Sequence, residues 1–142
     1  MHCLFCEIVA GRIPSARVLE TDDAVAFLDL GPVNAGHVLL VPREHHADLS
    51  ELSDALAAKV GALLPRLSRA IRRATEADGL NVVINNGEAA GQTIFHGHWH
   101  LIPRFFDDAV NWPWPHLSYA GDEMETMRAS LVRELEATAA EN

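Results

Sequence analysis

Apolar side chains at Leu56, Val60, Leu63, Leu67, Ala70 or Ile71, and Ala74 recur at helical spacing, while Arg and Lys fall on the opposite face. The pattern predicts one helix entered at Ser53, a residue suited to capping free N–H groups. Pro65 lacks a backbone donor and predicts a kink within it. Elsewhere the spacing shortens toward two. Strands are predicted over 17–20, 24–30, 38–41, 81–85 and 94–103, the first two joined as a hairpin by Thr21-Asp22-Asp23 and the third closed by Pro42. Residues 3–10 read as a turn or two of helix ended by Gly11, with Pro14 in the turn that follows. Residues 121–140 read as a final helix with a Glu-rich, solvated face. Strands linked by short connections, with a long helix inserted, predict an α+β fold: an antiparallel sheet layered by helices.

The chain of 142 residues is the size of one domain, with 49% hydrophobic residues for a core. That core is expected over about 3–105, with 106–142 as a C-terminal tail and helix. No apolar run of about eighteen residues occurs, and Met1-His2-Cys3 does not open a basic-then-apolar leader, so a cytoplasmic protein with no membrane partner is expected. A formal net charge of −9 opposes nonspecific binding to nucleic acid. An anionic substrate then requires a locally favourable site.

The chemistry concentrates in His96-Gly97-His98-Trp99-His100. In a strand, residues two apart share a face, so the three imidazoles are expected on one surface, with Gly97 and Trp99 behind. Neighbouring Cα atoms would be roughly 7 Å apart and the outer two roughly 13 Å, so two of the rings could meet at one metal but not all three. A neutral imidazole carries a free lone pair on one nitrogen, which makes it a nucleophile or a general base. Upstream, Asn85-Asn86-Gly87-Glu88-Ala89-Ala90-Gly91-Gln92-Thr93 is a glycine-punctuated loop whose backbone N–H groups, with Gln92 and Thr93, are expected to cradle an anion. Cys3-Leu4-Phe5-Cys6 has the spacing of zinc and redox pairs, and zinc needs two further ligands. Two free thiols are the plainer alternative.

The run from Gly91 to Arg104 resembles the signature of the histidine triad (HIT) superfamily, three alternating histidines separated by apolar residues. The resemblance extends over most of the chain, from Cys3 to Arg104. One departure is Gly97, a spacer usually filled by a bulkier apolar residue, whose small size is expected to loosen the rear of the strand. The resemblance implies a five-stranded antiparallel sheet with two main helices, paired as a two-fold homodimer. It implies a nucleotide hydrolase or transferase in which His98 takes up the α-phosphoryl group, with His100, His96 and His37 as the other catalytic histidines. By the same resemblance Asp29 holds the ribose hydroxyls, Asn85, Gln92 and Thr93 contact phosphate, and Phe27, Leu30 and Gly91 complete the site for a purine nucleotide. Its zinc-bearing bacterial branch implies a structural zinc on Cys3, Cys6, His45 and His96, with no metal needed for the chemical step and His46 a solvated neighbour. Two other readings stay open: a catalytic metal held by His96 and His98, and a nucleotide-binding adaptor dimer with negligible turnover. Trp112 and Trp114 form an aromatic patch for a dimer interface, for the base or leaving group, or for the surface alone.

Overall fold

A computed structural model describes residues 2–111 and 113–139. Trp112 lies outside the described residues. The chain forms five strands, β1 (Arg17–Glu20), β2 (Ala24–Leu28), β3 (Val38–Pro42), β4 (Gly79–Val83) and β5 (Trp99–Arg104), and four α-helices, α1 (Leu4–Val9), α2 (Asp54–Gly61), α3 (Leu64–Thr75) and α4 (Glu123–Ala139). All strand pairs are antiparallel, in the order β1-β2-β3-β5-β4. The expected α+β fold with its five-stranded antiparallel sheet is what the chain adopts.

Alternation along the central strands divides the interior into two layers. Ala24, Ala26, Leu28, Val38, Leu40, Trp99 and Leu101 face a main core shared with Leu67 and Ile71 of α3 and Leu131 and Leu135 of α4. Val25, Phe27, Leu39 and Val41 face the other way, against Phe5 and Ile8 of α1. Two-sided burial explains why β2 and β3 read as nearly continuous apolar runs rather than clean alternations. Because Leu131 and Leu135 lie in the main core, α4 is part of the packed domain and not a tail beyond 105.

Two further expectations change. The helix entered at Ser53, whose Oγ accepts the Leu56 N–H at 3.1 Å, is not kinked but divided: α2 ends at Gly61, and Pro65 stands in the first turn of α3, where a missing donor costs nothing. The strand expected from 94 begins only at Trp99. Ahead of it, the Gly97 N–H donates to the His46 carbonyl (2.8 Å) rather than to a neighbouring strand. A Cβ on Gly97 would stand 3.2 Å from the Asp48 backbone, so glycine here tightens the packing behind the histidines instead of loosening it.

Candidate active site

Since only His100 belongs to β5, the three histidines are not a row on one sheet face. His96 turns toward α1 and the loop after β3. Its Nε2 donates to the Pro42 carbonyl (2.7 Å), which leaves the Nδ1 lone pair facing Cys3 Sγ (3.4 Å), Cys6 Sγ (3.5 Å) and His45 Nδ1 (3.2 Å). Cys6 Sγ is also 3.4 Å from His45 Nδ1. With zinc–sulfur bonds near 2.3 Å and zinc–nitrogen bonds of 2.0–2.1 Å, the edges of a tetrahedral site run roughly 3.3–3.8 Å. The four donors therefore have the chemistry and the spacing of a closed, structural zinc site. His46, by contrast, pairs with Glu44 at 3.1 Å.

His98 points the other way, with Phe5 wedged beside it at a ring-centroid distance of 4.8 Å and 89° between planes. His96 and His98 thus do not converge, and a catalytic metal shared by those two side chains is ruled out by this geometry. His98 Nδ1 lies 2.8 Å from the His96 carbonyl, which can only accept, so the proton sits on Nδ1 and the free lone pair on Nε2. Burial lowers the tendency of His98 to protonate, with the Nδ1 bond to His96 and the charge of Asp29 opposing. The ring is held as a neutral base.

His100 and His37 form a second pair. The Val33 N–H donates to His37 Nδ1 (3.1 Å), so His37 carries its proton on Nε2 and presents it to His100 Nδ1 (3.0 Å). His100 then carries its own proton on Nε2, as a donor. Burial pushes both down to about 3, each helped by neighbouring imidazoles. Asp29 Oδ2 stands 3.7 Å from His37 Nε2, and Oδ1 accepts the Gly31 N–H at 2.9 Å. Asp29, His37 and His100 are close enough to enclose a cation, but the His37 nitrogen that faces the other two, Nε2, carries a proton, and the lone pair on Nδ1 accepts the Val33 N–H.

These groups open onto a cleft of about 350 Å³. Its lining combines apolar side chains, Leu4, Phe5, Ile8, Ile13, Phe27 and Leu39, with the polar groups of Asp29, Asn85, Thr93, His98 and His100. Leu30, Gly91 and Gln92 also line it, so the expected nucleotide-site residues share one cleft. Four backbone donors of the loop turn inward. Gly87 N–H donates to Gln92 Oε1, and the N–H groups of Ala90, Gly91 and Gln92 donate to carbonyls of the same loop. Gln92 Nε2 donates to the carbonyls of Ala47 (2.6 Å) and Ile94 (3.0 Å), so this buried amide holds the loop together instead of offering itself to phosphate. Asn85 and the Thr93 hydroxyl remain as neutral donors.

Sequence reasoning did not single out His116. It lines the cleft, with Nδ1 3.2 Å from the Gly31 carbonyl. Trp114 also lines it, its ring 5.2 Å from His100 and 6.4 Å from His37. The segment is tied to the loop that carries Asp29 and His37 by Leu117 N–H to the Pro32 carbonyl (2.8 Å) and by Gly36 N–H to the Tyr119 hydroxyl (2.9 Å). No periodicity marks these residues; only the aromatic-proline run of the sequence hints that the segment is rigid.

The HIT domain family matches residues 10–107. The chain is similar to a Bacillus subtilis protein named Protein hit, 39% identical over 137 residues that span 94% of each chain. It is also 40% identical over 116 residues to the adenosine 5'-monophosphoramidase hnt1 of Schizosaccharomyces pombe, across 80% of this chain and 84% of that one. Its structure resembles that of a zinc-bound histidine triad family protein from Mycobacterium smegmatis with a TM-score of 0.89 and 33% identity, covering 100% of this chain and 99% of the other. Triad, cleft and sequence likeness agree: the chain belongs to the HIT domain family.

Proposed function

We propose that this protein is a nucleotide hydrolase or transferase that cleaves the α-phosphate linkage of a nucleoside phosphoramidate or a dinucleoside polyphosphate through a nucleotidyl-His98 intermediate. The observation that carries the reading is the bond from His98 Nδ1 to the His96 carbonyl, which leaves Nε2 unprotonated on a residue lining the cleft. The apolar lining receives a purine base of the AMP or GMP type, and Asp29 accepts from the ribose hydroxyls. His98 Nε2 attacks the α-phosphorus, a phosphorus–nitrogen bond forms, and the bond to the leaving group breaks, a leaving amine taking up a proton from solvent and a leaving phosphate departing as its anion. Water then displaces His98, releasing the nucleoside monophosphate and restoring the lone pair. His100, with its proton on Nε2, donates to a phosphoryl oxygen as negative charge develops, supported through Nδ1 by His37. Asn85 and Thr93 add neutral donors.

Zinc belongs to the fold in this reading. Held by Cys3, Cys6, His45 and His96, it supplies structural cross-linking of the N-terminus to the triad segment and takes no part in bond making. A cytoplasmic homodimer, with no nucleic-acid partner, completes the proposal; no described helix is long and apolar enough to cross a membrane. The test is hydrolysis of an adenosine 5'-phosphoramidate by wild type and by His98→Ala, with and without a chelator. We expect wild type to turn over and the variant to lose at least a thousandfold. Turnover that survives His98→Ala would remove His98 as the nucleophile. Tight AMP binding by wild type without turnover would make the chain a binding module.

A further inference from the structure

We propose that the Cys3, Cys6, His45 and His96 cluster, acting with Phe5, is a positioning device for the nucleophile: loading zinc there fixes the ring and the tautomer of His98. The inference rests on His98 being the nucleophile and on zinc filling the cluster.

The tautomer of His98 depends on where one carbonyl stands, that of His96. Residues 94–98 lie outside the sheet, so no strand ladder holds that carbonyl in place. Three other attachments hold it. One is the His96 ring, tied to Pro42 of β3 through Nε2 and to the cluster through Nδ1. Another is Gly97 N–H, bonded to the carbonyl of His46, the residue after the cluster's own His45. The last is Phe5, which sits between the two cysteines in sequence and meets His98 edge-on at 4.8 Å and His96 at 6.0 Å.

Phe5 is held by the core, packed edge-on to Phe27 at 5.7 Å, and by the cluster. It belongs to α1, a six-residue helix, and helices of fewer than about twelve residues do not hold together alone in water. Cys3 is the N-cap of α1 and Cys6 lies one turn on, so both sulfurs tie the helix to His96 and His45. The tautomers of His37 and His100 are set differently, by the Val33 N–H and by each other, although the His100 ring also meets that of His98 edge-on at 4.8 Å. Loss of zinc should therefore release His98 while leaving the other pair in register.

The experiment is a long-range proton–nitrogen spectrum of the 15N-histidine-labelled full chain, which distinguishes Nδ1–H from Nε2–H tautomers. It compares zinc-loaded protein, chelated protein, His45→Ala and Phe5→Leu. His45 is exposed, so its removal weakens the cluster without opening a cavity. We expect one Nδ1–H tautomer at His98 when zinc is loaded, and a mixture after chelation and in His45→Ala, with the tautomers of His37 and His100 unchanged. Phe5→Leu should bind one zinc per chain yet broaden His98. Nucleotidyl transfer to His98 should fall at least tenfold on chelation and return when zinc is restored. Identical His98 signals in loaded and zinc-free His45→Ala protein would overturn the proposal even if chelated wild type unfolds, as would failure of the cluster to bind zinc. If His98 is not the nucleophile, transfer is absent from loaded wild type while the tautomer change persists.

Discussion

His98 and His100 use the same side chain in opposite senses. One bond to a carbonyl leaves His98 with a lone pair on Nε2, and one bond from His37 leaves His100 with a proton there. Burial keeps both neutral near pH 7. For His98 the direction of the shift fixes the pH dependence of the proposed attack, which needs the neutral ring, whose tendency to protonate is lowered from the ordinary 6.5. Single-turnover rates are expected to stay level as pH falls through 6.5 and to decline only below it; a half-maximum above 6.5 would contradict the buried setting. His37 and His100 tie stability to pH in the same range. Each is held down to about 3 in the folded chain against 6.5 when unfolded, so below 6.5 the unfolded chain binds more protons. Thermal midpoints should be flat above 6.5 and fall steadily as pH drops toward 3, and replacing His37 by Gln should flatten that slope. His98 and His100 are legible in the alternation of the motif and His37 only through the family resemblance, but the protonation of all three is not legible. Tautomers depend on partners such as the Val33 N–H and the His96 carbonyl, which only the folded chain supplies.

At the level of elements, the sequence marked most segments and misjudged the one that matters. Strands β1 to β3 follow their apolar runs, and Ser53 caps α2 as its type predicts. The triad was expected to be strand because its residues alternate, yet alternation describes side chains and says nothing of whether a neighbouring ladder exists. Gly97 breaks the segment away toward His46 and Asp48. Gly97→Ala puts a Cβ against the Asp48 backbone at 3.2 Å, and overpacking of that kind costs about 1–3 kcal/mol. We expect a lowered thermal midpoint together with weaker zinc retention, since His45 must shift with Asp48. An unchanged midpoint with unchanged zinc content would show that the two segments are not coupled. The loop after β4 carries a related lesson: its glycines promised an anion cradle, but Gln92 draws the N–H of Gly87 inward.

For the whole molecule, the two cores on one sheet meet the cleft to different extents. The larger layer, closed by α3 and α4, reaches it at Ala16 and Leu28, whereas the smaller, closed by α1, forms the wall against His98. The family signature ends before α4, so its place in the core was not legible from the motif, and its Glu-rich face read as solvated. Leu131, fully enclosed between α4 and the sheet, is expected to cost about 2–5 kcal/mol on replacement by Ala, read as a fall in the denaturant midpoint with AMP affinity kept. Loss of affinity in step with stability would show that the two layers act as one. Covalent catalysis by His98 is open to rapid-quench mass spectrometry of the protein mixed with an adenosine 5'-phosphoramidate. One AMP is expected on wild type within the first turnover, mapped to His98 and absent from His98→Ala; hydrolysis at the normal rate with no adduct at any time would show that His98 forms no such bond.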